Sequence, residues 1–258
     1  MKNLAIALSA LTLILSACND DTTGPVSKSG LFKGAAKTIG HGTATPWVRL
    51  NDAGDPTSYG VTLSDGALED LPTGDDNGEG HDHALSLTLP MPAQAAGTNI
   101  DHISLDWNPS GHEPAVLYGA PHFDVHFYMI SEAQQAAIPG GVDMAPVDAK
   151  YIAPDYWSPD PTSVPMMGRH WVDSTSHEFR GEAFDRTFIY GTSAGKMVFL
   201  EPMITLAYLK SKPSNATQTV KMPTAYPVSG KFYPSKYTVN YDPSTKETVV
   251  MMESLVKK

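Results

Sequence analysis

Twenty-one prolines and twenty-one glycines are spread along 258 residues, and this punctuation limits the chain to short elements joined by many turns. Proline cannot sit inside a helix without costing a hydrogen bond and creating a clash, and glycine there costs backbone entropy. A helical bundle is therefore disfavoured, and a β-rich architecture is expected. Short runs of β-branched and aromatic residues between the breaks read as strands over 46–50, 58–63, 84–89, 103–107, 122–130, 184–190, 197–205, 236–241 and 247–253.

Three pairs of these runs have turn chemistry between them. Asn51-Asp52-Ala53-Gly54-Asp55-Pro56, Gly191-Thr192-Ser193-Ala194-Gly195-Lys196 and Asp242-Pro243-Ser244-Thr245-Lys246 each supply residues that reverse the backbone. They predict three antiparallel hairpins. One helix is expected over Ser131–Ile138, capped by Ser131, with Glu132 in its first turn and Pro139-Gly140-Gly141 ending it. The expected fold class is mainly β, with α+β as the fallback: antiparallel sheets forming a cupin-like barrel or a sandwich with one or two short helices. Residues 139–165, with six prolines, read as an extended surface strap without regular structure. Thr73 to His83, TGDDNGEGHDH, reads as a solvated tract in which His81 and His83 would scavenge metal weakly.

The ends divide the chain. Residues 1–17 combine a basic start with an apolar run shorter than the roughly 20 residues that span a bilayer, so they read as a signal peptide. Leu15-Ser16-Ala17-Cys18 resembles a lipobox, which implies cleavage before Cys18 and a lipid on that cysteine. Residues 18–30 would form a polar tether, and 31–258 a single β-rich extracytoplasmic domain. The implied place is a bacterial membrane, at the outer membrane or the periplasmic face. Cys18 is the only cysteine, so no disulfide is available and the core must hold the domain. A net charge of −10 with no Lys/Arg cluster argues against nucleic acid as a partner.

Four of nine histidines, with several carboxylates, fall in four compact strings, and a fifth, His177, lies close after the third: WNPSGHEP (107–114), PHFDVHFY (121–128), GRHWVD (168–173) and FLEPM (199–203). Imidazole and carboxylate are the usual ligands of zinc, iron, manganese and copper. On a strand, His122, Asp124 and His126 share one face while Phe123, Val125 and Phe127 take the other. A strand rises about 3.3 Å per residue, so α-carbons four apart are separated by roughly 13 Å. One ion is thus not expected to take both His122 and His126. The candidate ligands are His112, His122, Asp124, His126, His170 and Glu201, with Asp124 and one strand histidine joined by His170, Glu201 or His112. Glu201, on the apolar run MVFLEPMIT, needs a partner to offset its burial.

Two readings from different classes follow. In one, the cluster holds a divalent metal, which in an enzyme would polarise a substrate or activate a bound water. In the other, the chain is a non-catalytic envelope module that binds a protein, a glycan or a small ligand or serves structure, and the histidines and carboxylates form a hydrogen-bond network that braces it.

The same strings carry a family likeness. GHGTA (40–44), WVRLNDAGDPTSYGVTLSDGALEDLP, WNPSGHEP, PHFDVHFYMIS, MGRHWVD, FIYGTSAGKMVFLEPMIT and YPSKYTVNYD resemble a family of bacterial secreted proteins of unknown function, of the Thermus type associated with an extracytoplasmic-stress sigma factor. The likeness runs from about Ile39 to the C-terminus and implies no activity. His41 stands where the family pattern has Asn, which argues against a ligand role there.

Overall fold

The computed structural model describes residues 28–74 and 83–258. The leader, Cys18, most of the tether and His81 lie outside the described residues. In chain order the strands are β1 (Gly30–Lys33), β2 (Lys37–Ile39), β3 (Gly42–Leu50), β4 (Pro56–Leu63), β5 (Leu85–Pro90), β6 (His102–Asn108), β7 (His122–Tyr128) and β8 (Gly141–Val142). They continue as β9 (Tyr156–Trp157), β10 (Thr162–Val164), β11 (Gly168–Asp173), β12 (Arg186–Ser193), β13 (Lys196–Thr205), β14 (Ala216–Thr219), β15 (Phe232–Asp242) and β16 (Glu247–Lys257). Three short helices are α1 (Ala115–Tyr118), α2 (Glu132–Ala136) and α3 (Leu206–Lys210).

The strands form two antiparallel sheets. The first runs β1-β3-β4-β16-β15-β14, with β2 beside β3; the second runs β5-β6-β7-β13-β12-β11-β10-β8, with β9 beside β11. Neither closes into a barrel, so the sandwich, not the cupin-like barrel, describes the molecule. All three expected hairpins are present as β3–β4, β12–β13 and β15–β16. The tightest joins Ser193 to Lys196 through Ala194 and Gly195, both at positive φ (48° and 77°). This is the two-residue turn whose twist matches that of the strands.

The core lies between the sheets because each presents one apolar face. Tyr59, Val61, Tyr237, Val239, Val250 and Met252 from the first meet Ile103, Leu105, Phe123, Val125, Phe127 and Leu200 from the second. Each such side chain contributes roughly 1.5–3 kcal/mol when fully buried. The first sheet keeps a wet outer face, as the alternating burial along β16 shows. The second does not. Its central strands β6 and β7 are buried at every residue, because α1, Phe179 and Phe184 cover one part of the outer face and Ile138, Val164 and Met167 cover another.

Three expectations need correction. Residues 139–165 are not free of regular structure: β8, β9 and β10 are laid against the sheet edge and against β11. These strands are only two or three residues long and lie between the prolines, so the missing N–H groups are not needed in the ladder. The α-helices number three among the described residues, not one or two. The expected helix is real but shorter, at Glu132–Ala136, with Ser131 and Gln134 forming a reciprocal capping box.

Candidate metal centre

The alternation read on β7 sets the chemistry of the covered face. Phe123, Val125 and Phe127 enter the core, so His122, Asp124 and His126 turn to the outer face of the second sheet. Cross-strand register aligns further polar residues with them: Ser104, Asp106 and Asn108 on β6 pair with His126, Asp124 and His122. On the other side, β13 pairs Leu200 with Phe127 and Met203 with Asp124, which brings Glu201 beside His126. All of these polar residues are buried.

The six candidate ligands meet in two groups of three. His112, His122 and Asp124 form one; His126, His170 and Glu201 form the other; within each, the possible ligand atoms all lie within 4.8 Å of one another. The two histidines of β7 fall in different groups, in line with their separation along the strand. Each group is two imidazoles and one carboxylate, and each could hold a metal ion.

Local structure places each member. His112 leaves the sheet on a turn in which Gly111 has φ 71°. A Cβ there would stand 2.1 Å from the Tyr118 carbonyl oxygen, so only glycine fits. His112 N–H then donates to that carbonyl at 3.1 Å, which folds α1 over the histidine. His170, on β11, pairs with Gly191 of β12. A Cβ on Gly191 would meet the Phe199 ring at 2.2 Å; without one, Phe199 packs edge-on against His126 at 4.7 Å and lies 5.5 Å from His170.

Hydrogen bonds fix how the imidazoles face. His122 Nδ1 lies 2.7 Å from the Ala120 carbonyl, His112 Nδ1 2.8 Å from the Glu113 carbonyl, and His126 Nδ1 2.8 Å from Asp106 Oδ2. With Nδ1–H donating to these acceptors, Nε2 is the atom left to bind, the arrangement found behind histidines that ligate metals. Asp106 is saturated in that role, since Oδ1 also accepts from the Ser86 and Ser104 hydroxyls. Asn108 Nδ2 donates to Asp124 Oδ2 at 2.8 Å.

The inward atoms lack such partners. His122 Nε2, Asp124 Oδ1, His126 Nε2 and Glu201 Oε2 are buried without a hydrogen bond. They nevertheless stand close in pairs, His122 Nε2 to Asp124 Oδ1 at 3.1 Å and His126 Nε2 to Glu201 Oε2 at 3.3 Å, with His112 Nε2 3.4 Å from Asp124 Oδ2. A tetrahedral ion with bonds of about 2.1 Å keeps its ligands about 3.4 Å apart. The three imidazole–carboxylate pairs are near that spacing, in triads whose ligand atoms lie within 4.8 Å of one another.

The electrostatics agree. Burial drives the His112 imidazole toward its neutral form, but the Asp124 carboxylate outweighs it and lifts the group to about 9. Burial likewise opposes ionisation of Asp124, yet the charges of His122 and His112 hold it well below the usual range. His126 is pushed well up, its burial overcome chiefly by Glu201. Glu201 is itself raised by burial, only partly offset by His126. Each imidazole is thus set against a buried carboxylate.

Four of the six residues, His112, Asp124, His170 and Glu201, line a cavity of about 480 Å³, and His122 and His126 are fully buried beside it. The mouth is framed by exposed residues, among them Glu113, Trp157 and Asp160. Sequence reasoning missed two supports. Asp106 and Asn108 sit on β6, where His102, Ser104, Asp106 and Asn108 alternate with Ile103, Leu105 and Trp107, the same signal that marked β7. His83, expected in a solvated tract, instead has Nδ1 2.8 Å from Asn108 Oδ1 and so extends the chain of contacts to Asp124.

Fold and site thus define a two-sheet β-sandwich whose covered face carries two histidine–carboxylate groups that could hold metal. Residues 51–107 match the family described as TTHB210-like, hypothetical protein TTHB210, which supports the likeness to a Thermus-type family of hypothetical proteins. The matched segment runs from the β3–β4 turn through Trp107; it includes Asp106 and none of the six candidate ligands. No curated protein and no solved structure matches the chain.

Proposed function

We propose that this chain is a lipid-anchored extracytoplasmic protein that binds two divalent metal ions, one in each group of two histidines and a carboxylate. The observation that carries the reading is the set of four buried ligand atoms without hydrogen bonds, on His122, Asp124, His126 and Glu201. A buried polar atom without a hydrogen bond costs about 1–3 kcal/mol, and these four face each other as two imidazole–carboxylate pairs at 3.1 and 3.3 Å, between whose members a cation would satisfy both. A bracing network accounts for Asp106 and Asn108, whose side-chain oxygens are satisfied, but not for the inward atoms. Nitrogen and oxygen donors with no thiolate suit zinc, iron, manganese or copper. Three protein ligands per ion leave a position for water or a substrate. Such an ion would polarise a bound group or lower the pKa of a bound water.

Element analysis after dialysis tests this. About two ions per chain are expected, falling to about one in Asp124→Ala and to about one in Glu201→Ala. Protein supplied with each of the four metals that retains none would refute the reading. Anchoring is supported by the leader and lipobox alone, and is tested separately. Cys18→Ser should move the protein from the membrane fraction to the soluble fraction, and unchanged partition would contradict it.

A further inference from the structure

We infer that the cavity over the two metal groups receives a small apolar carboxylic acid, whose head group binds the ions and whose body lies along the wall. This rests on the metal reading and adds a ligand class to it. The wall is built mainly from apolar side chains, including Leu117, Val164, Met167, Val172, Phe179 and Met203, and the polar ligand groups converge on one part of it. A volume of about 480 Å³ is within the usual range for small-molecule sites, which pair apolar walls with a few fixed polar groups.

Charge selects the head group. Two divalent ions bring four positive charges against three buried carboxylates, Asp124 and Glu201 that would ligate them and Asp106 behind His126, which leaves a positive excess although the lining has no Lys or Arg among the described residues. The loaded floor is therefore cationic and takes an anion. A phosphate would require several further N–H or guanidinium donors for its oxygens, and the apolar wall does not provide them. A carboxylate needs only a metal position for its head group and leaves the rest of the molecule to the wall. At the mouth the acidic side chains Glu113 and Asp160 stand beside Trp157, which is 47% exposed. They disfavour a second negative charge at the outer end, so a monoacid fits better than a diacid.

The test is calorimetric titration of the full chain with octanoate, acetate and octylamine, before and after zinc loading, with zinc counted in every sample. Zinc-loaded protein should bind octanoate at least tenfold more tightly than acetate and at least tenfold more tightly than zinc-free protein does. Leu117→Asp should keep its zinc and lose the preference for octanoate over acetate; Phe179→Asp serves the same purpose should the first variant not fold. Zinc-loaded protein that binds octanoate no better than acetate, or that prefers octylamine, would overturn the inference and leave the metal reading intact. Protein that takes up no zinc or other divalent ion removes the metal reading, and the inference falls with it.

Discussion

The two candidate metal groups share a cavity and a ligand formula, yet they are supported differently. In the first, His112 comes from a loop, and the Nδ1 atoms of His112 and His122 face backbone carbonyls. In the second, all three ligands stand on strands, and His126 is backed by a carboxylate that also holds two hydroxyls. A carboxylate behind the imidazole raises its basicity more than a carbonyl does, and strands hold geometry more firmly than loops. The second group should therefore bind its ion more tightly and exchange it more slowly. The first should serve as the adaptable position beside the mouth.

The largest expected effect comes from Glu201→Ala. It removes the only carboxylate of the second group, the one that His126 Nε2 faces, so the tightly held ion should disappear while the first remains, as counted by competition with a chelator. Next is Asp106→Asn, which keeps every ligand but weakens the support of His126. Second-group affinity should fall about 10–100-fold, with little change at the first; equal loss at both would break the distinction.

Smaller is the pH response. His112 is raised from 6.5 to about 9 in the metal-free chain, so an ion must displace its proton, and first-group affinity should climb up to tenfold per pH unit between about 6.5 and 9. The sign for stability is the reverse. A raised histidine stabilises the metal-free fold fully below the unfolded value and loses that contribution as pH rises through about 9. Metal-free protein should thus lose a few degrees of Tm over that window, and loaded protein should not. The smallest effect is expected for Gly191→Ala, where the new methyl meets Phe199 at 2.2 Å. It should destabilise by about 1–3 kcal/mol and loosen the second ion more than the first.

Much of this was legible in the residues, and the reasons are specific. Alternation on β7 exposed its polar face because histidine and aspartate between aromatic residues are an unusual surface. The rise per residue by itself separates His122 from His126. Asp106 and Asn108 escaped notice although β6 alternates equally well, since serine, aspartate and asparagine on a strand also describe an ordinary wet face. The cover of α1, Phe179, Phe184, Ile138, Val164 and Met167 makes that face dry, and contact between residues so distant in sequence leaves no local periodicity. The same reason hid β8, β9 and β10: strands of two or three residues carry no pattern of their own. His83 shows the opposite error, in which polar neighbours concealed a residue tied to Asn108.

Anomalous diffraction from crystals soaked in zinc tests the central claim most directly. Two peaks are predicted, one within bonding distance of His112, His122 and Asp124 and a stronger one bounded by His126, His170 and Glu201. Full-occupancy zinc elsewhere on the chain, with neither triad occupied, would contradict the account.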